Sequence, residues 1–255
     1  MTPSRRPRLP GGGATTHGER VRLSPYMPRR IGPIVLAALV ALALAACGSS
    51  GGSSSDNGIS SKSPNEIVSA ATSAVSSVNS VHVAGTVLSG GQHVTLDLNL
   101  VNGKGGKGSM AQNGLGFQIV AVGSEVYING SQSFWKTFGG SAAAQLLSGK
   151  WLKAPATGQL SSLATLTNVQ KLFNQLLSSH GKLAKGKTTT IHGQPAIAVT
   201  DTTNGGTLYV ATTGKAYPLE ISKTGAQGGQ ITFDHFDQPV TLTPPAKAID
   251  ISQLK

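Results

Sequence analysis

The feature that most constrains this chain is a run of strict two-residue alternation. In His93-Val94-Thr95-Leu96-Asp97-Leu98-Asn99-Leu100 every even position is apolar and every odd one polar. A helix would scatter those apolar side chains around its circumference, whereas a strand puts them all on one face. Further stretches at Val81–Leu88, Lys107–Gln112, Phe117–Val122 and Glu125–Ile128 read as strands, separated by Gly90-Gly91, Asn113-Gly114 and Gly123. Asn-Gly between alternating runs is a strong hairpin signal. This half of the chain is therefore expected to be an antiparallel meander.

Helical signals flank it. Ser63-Pro64-Asn65-Glu66 has the form of a capping box with Pro at the first helical position. Ile67, Ala71, Ala74, Val75 and Val78 then recur at helical spacing to about Asn79. A second helical region is expected at Ala142–Leu147 and along the stripe Leu163, Leu166, Val169, Leu172, Phe173, Leu176 and Leu177, ending near Gly181. Strands resume at Thr188–Ile191, Ala196–Thr200, Thr207–Ala211, Leu219–Ser222 and Gln230–Phe236. The order predicts an α+β domain over residues 64–255, one large sheet with helices on one side.

The formal charge of +11 invites a nucleic-acid reading, which its distribution opposes. All seven arginines lie at or before Arg30. The rest of the chain has only lysine, which lacks the planar fork that reads guanine and phosphate bidentately. No nucleic-acid partner is expected.

From Met27 the sequence runs MPRRIGPIVLAALVALALAAC, two arginines followed by an almost wholly apolar run from Ile31 to Ala46. The run falls short of the roughly 20 apolar residues of a membrane span and ends in small residues, the layout of a signal peptide. Leu44-Ala45-Ala46-Cys47 resembles the bacterial lipobox, whose cysteine receives diacylglycerol before cleavage. This makes residues 1–46 a leader with Met27 as a candidate start, Cys47 the lipidation site, and 47–63 a Gly/Ser tether. The expected location is the outer face of a cell membrane, held by lipid, because two or three acyl chains anchor stably where one does not. The lone cysteine excludes an internal disulfide.

The pieces Val81-His82-Val83-Ala84-Gly85, Glu125-Val126-Tyr127-Ile128, Gly149-Lys150-Trp151, Gly206-Thr207-Leu208-Tyr209-Val210, Tyr217-Pro218-Leu219-Glu220-Ile221 and the ending Phe233-Asp234-His235-Phe236-Asp237-Gln238-Pro239-Val240, in this order behind a lipobox, resemble the LppX/LprG lipoproteins of mycobacteria and their relatives. The resemblance spans the mature chain. It implies a LolA-like half-open β-barrel, one large curved antiparallel sheet wrapping a few helices around an apolar cavity. It also implies carriage of a lipid or acylated glycolipid, with any transporter partner unspecified and the protein monomeric.

On that reading the inner wall is drawn from alternate strand positions. They are Val94, Leu96, Leu98 and Leu100 in one strand and Phe117, Ile119, Val126 and Ile128 in the next two. Leu208, Val210, Leu219, Ile221, Ile231 and Phe233 come from the second half, and Leu166, Val169, Phe173 and Leu176 line it from the helices. The same residues equally suit a filled barrel acting through protein partners as a structural or sensory lipoprotein. An envelope hydrolase is a further alternative, but no catalytic residue, cofactor or metal is expected. Gly103–Gly108 fits G-x-G-x-x-G, yet a strand rather than a helix is expected after it. His82 and His93 would face each other across the first hairpin, with no Cys or acidic cluster to complete a metal site. Lys182, Lys185 and Lys187 read as a solvated loop.

Overall fold

The computed structural model describes residues 55–251 apart from Gly90 and Gln227. The described residues fall within one compact unit. The leader, Cys47 and the first part of the tether lie outside the described residues. Among those described, no helix is long and apolar enough to cross a membrane.

Helix α1 (Pro64–Ser76) starts at the expected capping box, with the Ser63 backbone N–H donating to Glu66 Oε2 at 2.9 Å. It ends a turn before Asn79, where Ser77 caps it, although Val78 stays buried. The first meander follows as β1 (Ser80–Ser89), β2 (Gln92–Val101), β3 (Gly105–Gln112), β4 (Leu115–Val122) and β5 (Glu125–Gly130). Helix α2 (Gln132–Leu147) begins ten residues earlier than Ala142, because Ser131 accepts a hydrogen bond from the Phe134 N–H and so caps the helix there. Gly140, at φ 77°, kinks it midway and conceals its period in the sequence.

Strand β6 (Leu152–Pro155) was not expected from the sequence; it is four residues long and ends in Pro. The long helical stripe is broken into α3 (Ser161–Leu166) and α4 (Val169–Ser178) because Asn168 stops one and caps the other, accepting from Lys171 N–H at 2.9 Å. The second meander comprises β7 (Leu183–Ile191), β8 (Gln194–Asp201), β9 (Thr207–Ala211), β10 (Pro218–Lys223) and β11 (Gly229–Asp234), and a short β12 (Ile249–Asp250) closes the chain.

All twelve strands form one open sheet in the order β12-β6-β5-β4-β3-β2-β1-β11-β10-β9-β8-β7. Every pairing is antiparallel except the two-residue edge pair β12–β6. Strand β1 is the seam: it pairs with β2 through ten residues and with β11 through five, joining the two meanders. The sheet curves around the helices, and two glycines permit the curvature. Gly85 and Gly108 sit at φ 149° and 158°, and a Cβ at either would lie 2.0 Å and 1.9 Å from the Gln230 and Asp97 carbonyl oxygens of the neighbouring strands. Helices α1 and α4 fill the concave face with Ile67, Val75, Val169 and Phe173. The Phe173 ring packs 4.9 Å from Phe233 on β11. Gln170 on α4 donates to the Val75 and Ser76 carbonyls, satisfying the end of α1.

Two further expectations are corrected. Residues 56–63 are docked rather than part of a free tether. Asn57 N–H donates to Thr212 O at 2.8 Å, Ile59 is buried, and Lys185 Nζ donates to the carbonyls of Ser60 and Lys62. An isoleucine in a Gly/Ser run recovers its hydrophobic energy by packing. Lys185 and Lys187 lie on edge strand β7, not in a loop, where exposed lysines and a register shift blunt an otherwise open sheet edge.

Replacing Gly108 by Ala is expected to lower stability by about 3 kcal/mol or more, since neither the backbone conformation nor the neighbouring carbonyl admits a Cβ. Chemical denaturation measures it. Gly114→Ala, where a Cβ would meet nothing within 4 Å, serves as a control paying for the positive φ alone.

Candidate functional site

The strand register arranges the inward side chains in rows across the sheet. The deepest row runs Val81, Leu100, Gly106, Ala121, Val126, Ala154, and the next runs Phe233, Val83, Leu98, Gly108, Ile119, Ile128, Leu152. Every member of both rows except Gly108 is buried. Of the expected wall residues, Leu98, Leu100, Ile119, Val126, Ile128 and Phe233 therefore belong to the packed core, along with Val210, Val169 and Phe173.

The third row behaves differently. It runs Val199, Leu208, Ile221, Ile231, Gly85, Leu96, Met110, Phe117, Gly130, from β8 through the seam to β5. Leu96, Met110, Phe117 and Ile221 are only half-buried here. Two cavities open on this row. One, of ≈ 100 Å³, lies between α4 and β8–β10 and is lined by Leu176, Leu177, Val199, Leu208 and Ile221. The other, of ≈ 350 Å³, is lined by Leu96, Met110 and Phe117 together with Ser109, Gln118 and Asn129 of β3–β5, alternate positions that belong to the opposite face of the sheet. Val94 lies one row further out and is half-buried, as are Leu166 on α3 and Leu176 on α4.

Leu219 departs from the expected set. A bulge between Pro218 and Glu220 shifts the register, and Leu219 joins a small cluster with Ala196 and Ala211, apart from the main core. Met110 was missed, because the glycines around it obscure the alternation of β3. An aromatic ladder on α2 was missed too. The Phe117 ring packs tilted against Phe134 at 5.1 Å, and Phe134 against Phe138 at 4.7 Å. Phe138 is 67% exposed. Gly130 makes the approach possible, since a Cβ there would sit 2.4 Å from the Phe134 ring.

Polar hubs hold the rims. At the smaller cavity the Asp201 carboxylate accepts from the backbone N–H groups of Asn204, Gly181 and Thr203, all at 2.9 Å, and from Asn204 Nδ2. These donors, the Asn204 N–H foremost, hold its carboxyl far below the usual carboxylate range. At the other end of the second meander Asp237 accepts from Asn79 N–H at 2.7 Å and Tyr217 OH at 2.8 Å, with Lys215 Nζ at 3.3 Å. The Asn79 N–H leads in holding its carboxyl below the usual carboxylate range as well. Gly103–Lys104 is a turn into β3, so no helix follows the Gly-rich motif.

His82 and His93 do not face each other, since His82 lies opposite Asn99 and His93 opposite Leu88. His82 instead sits between Asp234 and Asp97, which face it from β11 and β2.

An open, curved antiparallel sheet folded around helices, with its apolar face graded from dry to half-open, defines a half-barrel. No protein-family model and no curated protein sequence matches the chain. Solved structures do. LprF from Mycobacterium bovis aligns over 72% of this chain and 97% of its own length, at 16% identity and TM-score 0.51. The Mycobacterium tuberculosis lipoprotein LppX aligns over 71% and 100%, at 20% identity and TM-score 0.47. A LolA superfamily protein from Nitrosomonas europaea aligns over 72% and 98%, at 7% identity and TM-score 0.25. The chain thus shares its fold with LprF.

Both carboxyl hubs are more acidic folded than unfolded, so the unfolded chain binds more protons. Their stabilisation is present above the unfolded value near 4 and is lost as pH falls through the folded values. Unfolding midpoints in urea are expected to drop between pH 5 and pH 2, with a shallower drop in Asp201→Asn.

Proposed function

We propose that the chain is a lipoprotein held to the outer face of a cell membrane through acyl chains on Cys47, and that it binds or carries a lipid or acylated glycolipid along the third row of its sheet. The observation that carries this reading is that Leu96, Met110, Phe117 and Ile221 of that row are only half-buried and line two of the cavities, while the apolar side chains of the two deeper rows are buried. The larger cavity falls within the roughly 300–1,000 Å³ of small-molecule sites, and the smaller does not. Acyl chains would lie against Leu96, Met110 and Phe117, with half-buried Phe134 and exposed Phe138 at the end of that row. Partition alone supplies the affinity. A fully buried 16-carbon chain contributes on the order of 13 kcal/mol at about 0.8 per methylene, before the losses of ordering and association. The protein acts as a monomer, and no side chain performs chemistry.

The packing of the two deeper rows favours a second reading, an anchored scaffold whose barrel is filled by its own helices and which works through protein partners. Native mass spectrometry of the full chain, purified in a lipid-like detergent from a bacterial membrane, separates the two. Carriage is expected to show co-purifying lipid, reduced at least tenfold by Leu96→Asn with Met110→Asn, with melting temperature little changed. Lipid-free protein, or lipid unaffected by that pair, leaves the scaffold. Cys47→Ser is expected to move the protein out of the membrane fraction, and persistence there would overturn the anchor.

A further inference from the structure

On the sheet face away from the helices, the seam between β1 and β11 gathers side chains that the lipid reading does not use. His82 Nδ1 lies 2.7 Å from Asp234 Oδ1, and His235 Nδ1 lies 2.7 Å from the same oxygen. The two imidazole rings stand 5.6 Å apart. One donor atom from each of His82, Asp234 and His235 falls within 4.8 Å of the other two. The other nitrogen of His82, Nε2, is held 3.2 Å from Asp97 Oδ1 on β2.

We propose that His82, Asp234 and His235 form a binding site for a divalent transition-metal ion, with Zn²⁺ the ion best matched to two imidazoles and a carboxylate. Three lines support it. The donor set is nitrogen-rich with one hard oxygen, which suits zinc and its neighbours rather than calcium or magnesium. Zinc takes such ligands at about 2.0–2.1 Å in a tetrahedron, so the two ring nitrogens, each now 2.7 Å from the Asp234 oxygen, need to move away from it by well under 1 Å. The third line is orientation. A metal-bound histidine typically gives its other ring N–H to a carboxylate, and Asp97 already occupies that place on His82.

The cluster as plain ion pairs would contribute little. Asp234 and His235 are 47% and 69% exposed, and solvent screens pairs so exposed. In the metal-free protein a single carboxylate oxygen receives both Nδ1 atoms, which requires a proton on each. A divalent ion replaces those protons and leaves a fourth position for water or an incoming ligand. Because His82 and Asp234 belong to different meanders, the ion would also staple the seam.

The test is calorimetric titration of the untagged full chain in detergent with ZnCl₂, alongside thermal melting. One equivalent is expected to bind and to raise the melting temperature. His235→Ala and Asp234→Asn are expected to weaken binding at least tenfold, Asp97→Asn about tenfold, and His93→Ala and His180→Ala not at all. His235 is exposed enough that its loss leaves the fold intact, which circular dichroism checks. No binding at micromolar zinc overturns the proposal, as does binding that survives both His235→Ala and Asp234→Asn; either result leaves a hydrogen-bonded cluster and nothing more.

Discussion

Strand β1 must satisfy backbone partners on both edges at once, β2 only 3 to 21 residues away and β11 some 150 residues later. The first pairing is a hairpin and forms locally. The second closes a loop through nearly the whole domain, whose entropy must be met before its contacts repay it. The repayment comes from α4, which lies across the seam and presses Phe173 on Phe233. Without that pairing there would be two small curved sheets, each with an uncovered edge, and no continuous row on which a ligand face could form.

The gradation of burial along the rows follows from where the helices reach. In the two deeper rows Leu98, Leu100 and Ile119 are almost wholly shielded, in one core with Ile67 and Val75 of α1 and Val169 and Phe173 of α4. On the third row Leu96, Met110, Phe117 and Ile221 remain half-buried, and α3 contributes no buried residue. A sheet of this width thus has enough helix to dry part of its concave face and leaves the remainder apolar and partly wet. That imbalance, rather than any charged group, distinguishes a candidate ligand surface from ordinary core.

Much of this was legible because alternation and capping are local signals. The even positions from Leu96 to Leu100, the capping box at Ser63 and the Asn113-Gly114 hairpin each declare themselves within a few residues. What the sequence hid was set by distant partners. Nothing near Leu219 announces the bulge that turns it away from Ile221. The glycines flanking Met110 erase the pattern that would have marked it. Asp234 and His82, separated by 152 positions, meet only because β11 pairs with β1. The start of α2 was obscured by Gly139 and Gly140, which read as a loop and instead make a kink.

The docking of Asp56–Ser63 changes the geometry of attachment. The antiparallel bridge from Asp56 to Thr213 fixes the chain against the β9–β10 turn, nine residues after Cys47. Nine residues span at most about 30 Å even when drawn straight, half of what a leash running to Pro64 would permit. With Cys47 acylated as proposed, the β9–β10 corner is held within that radius of the lipid surface. Rotation about the leash is then all that decides which rim meets the headgroups.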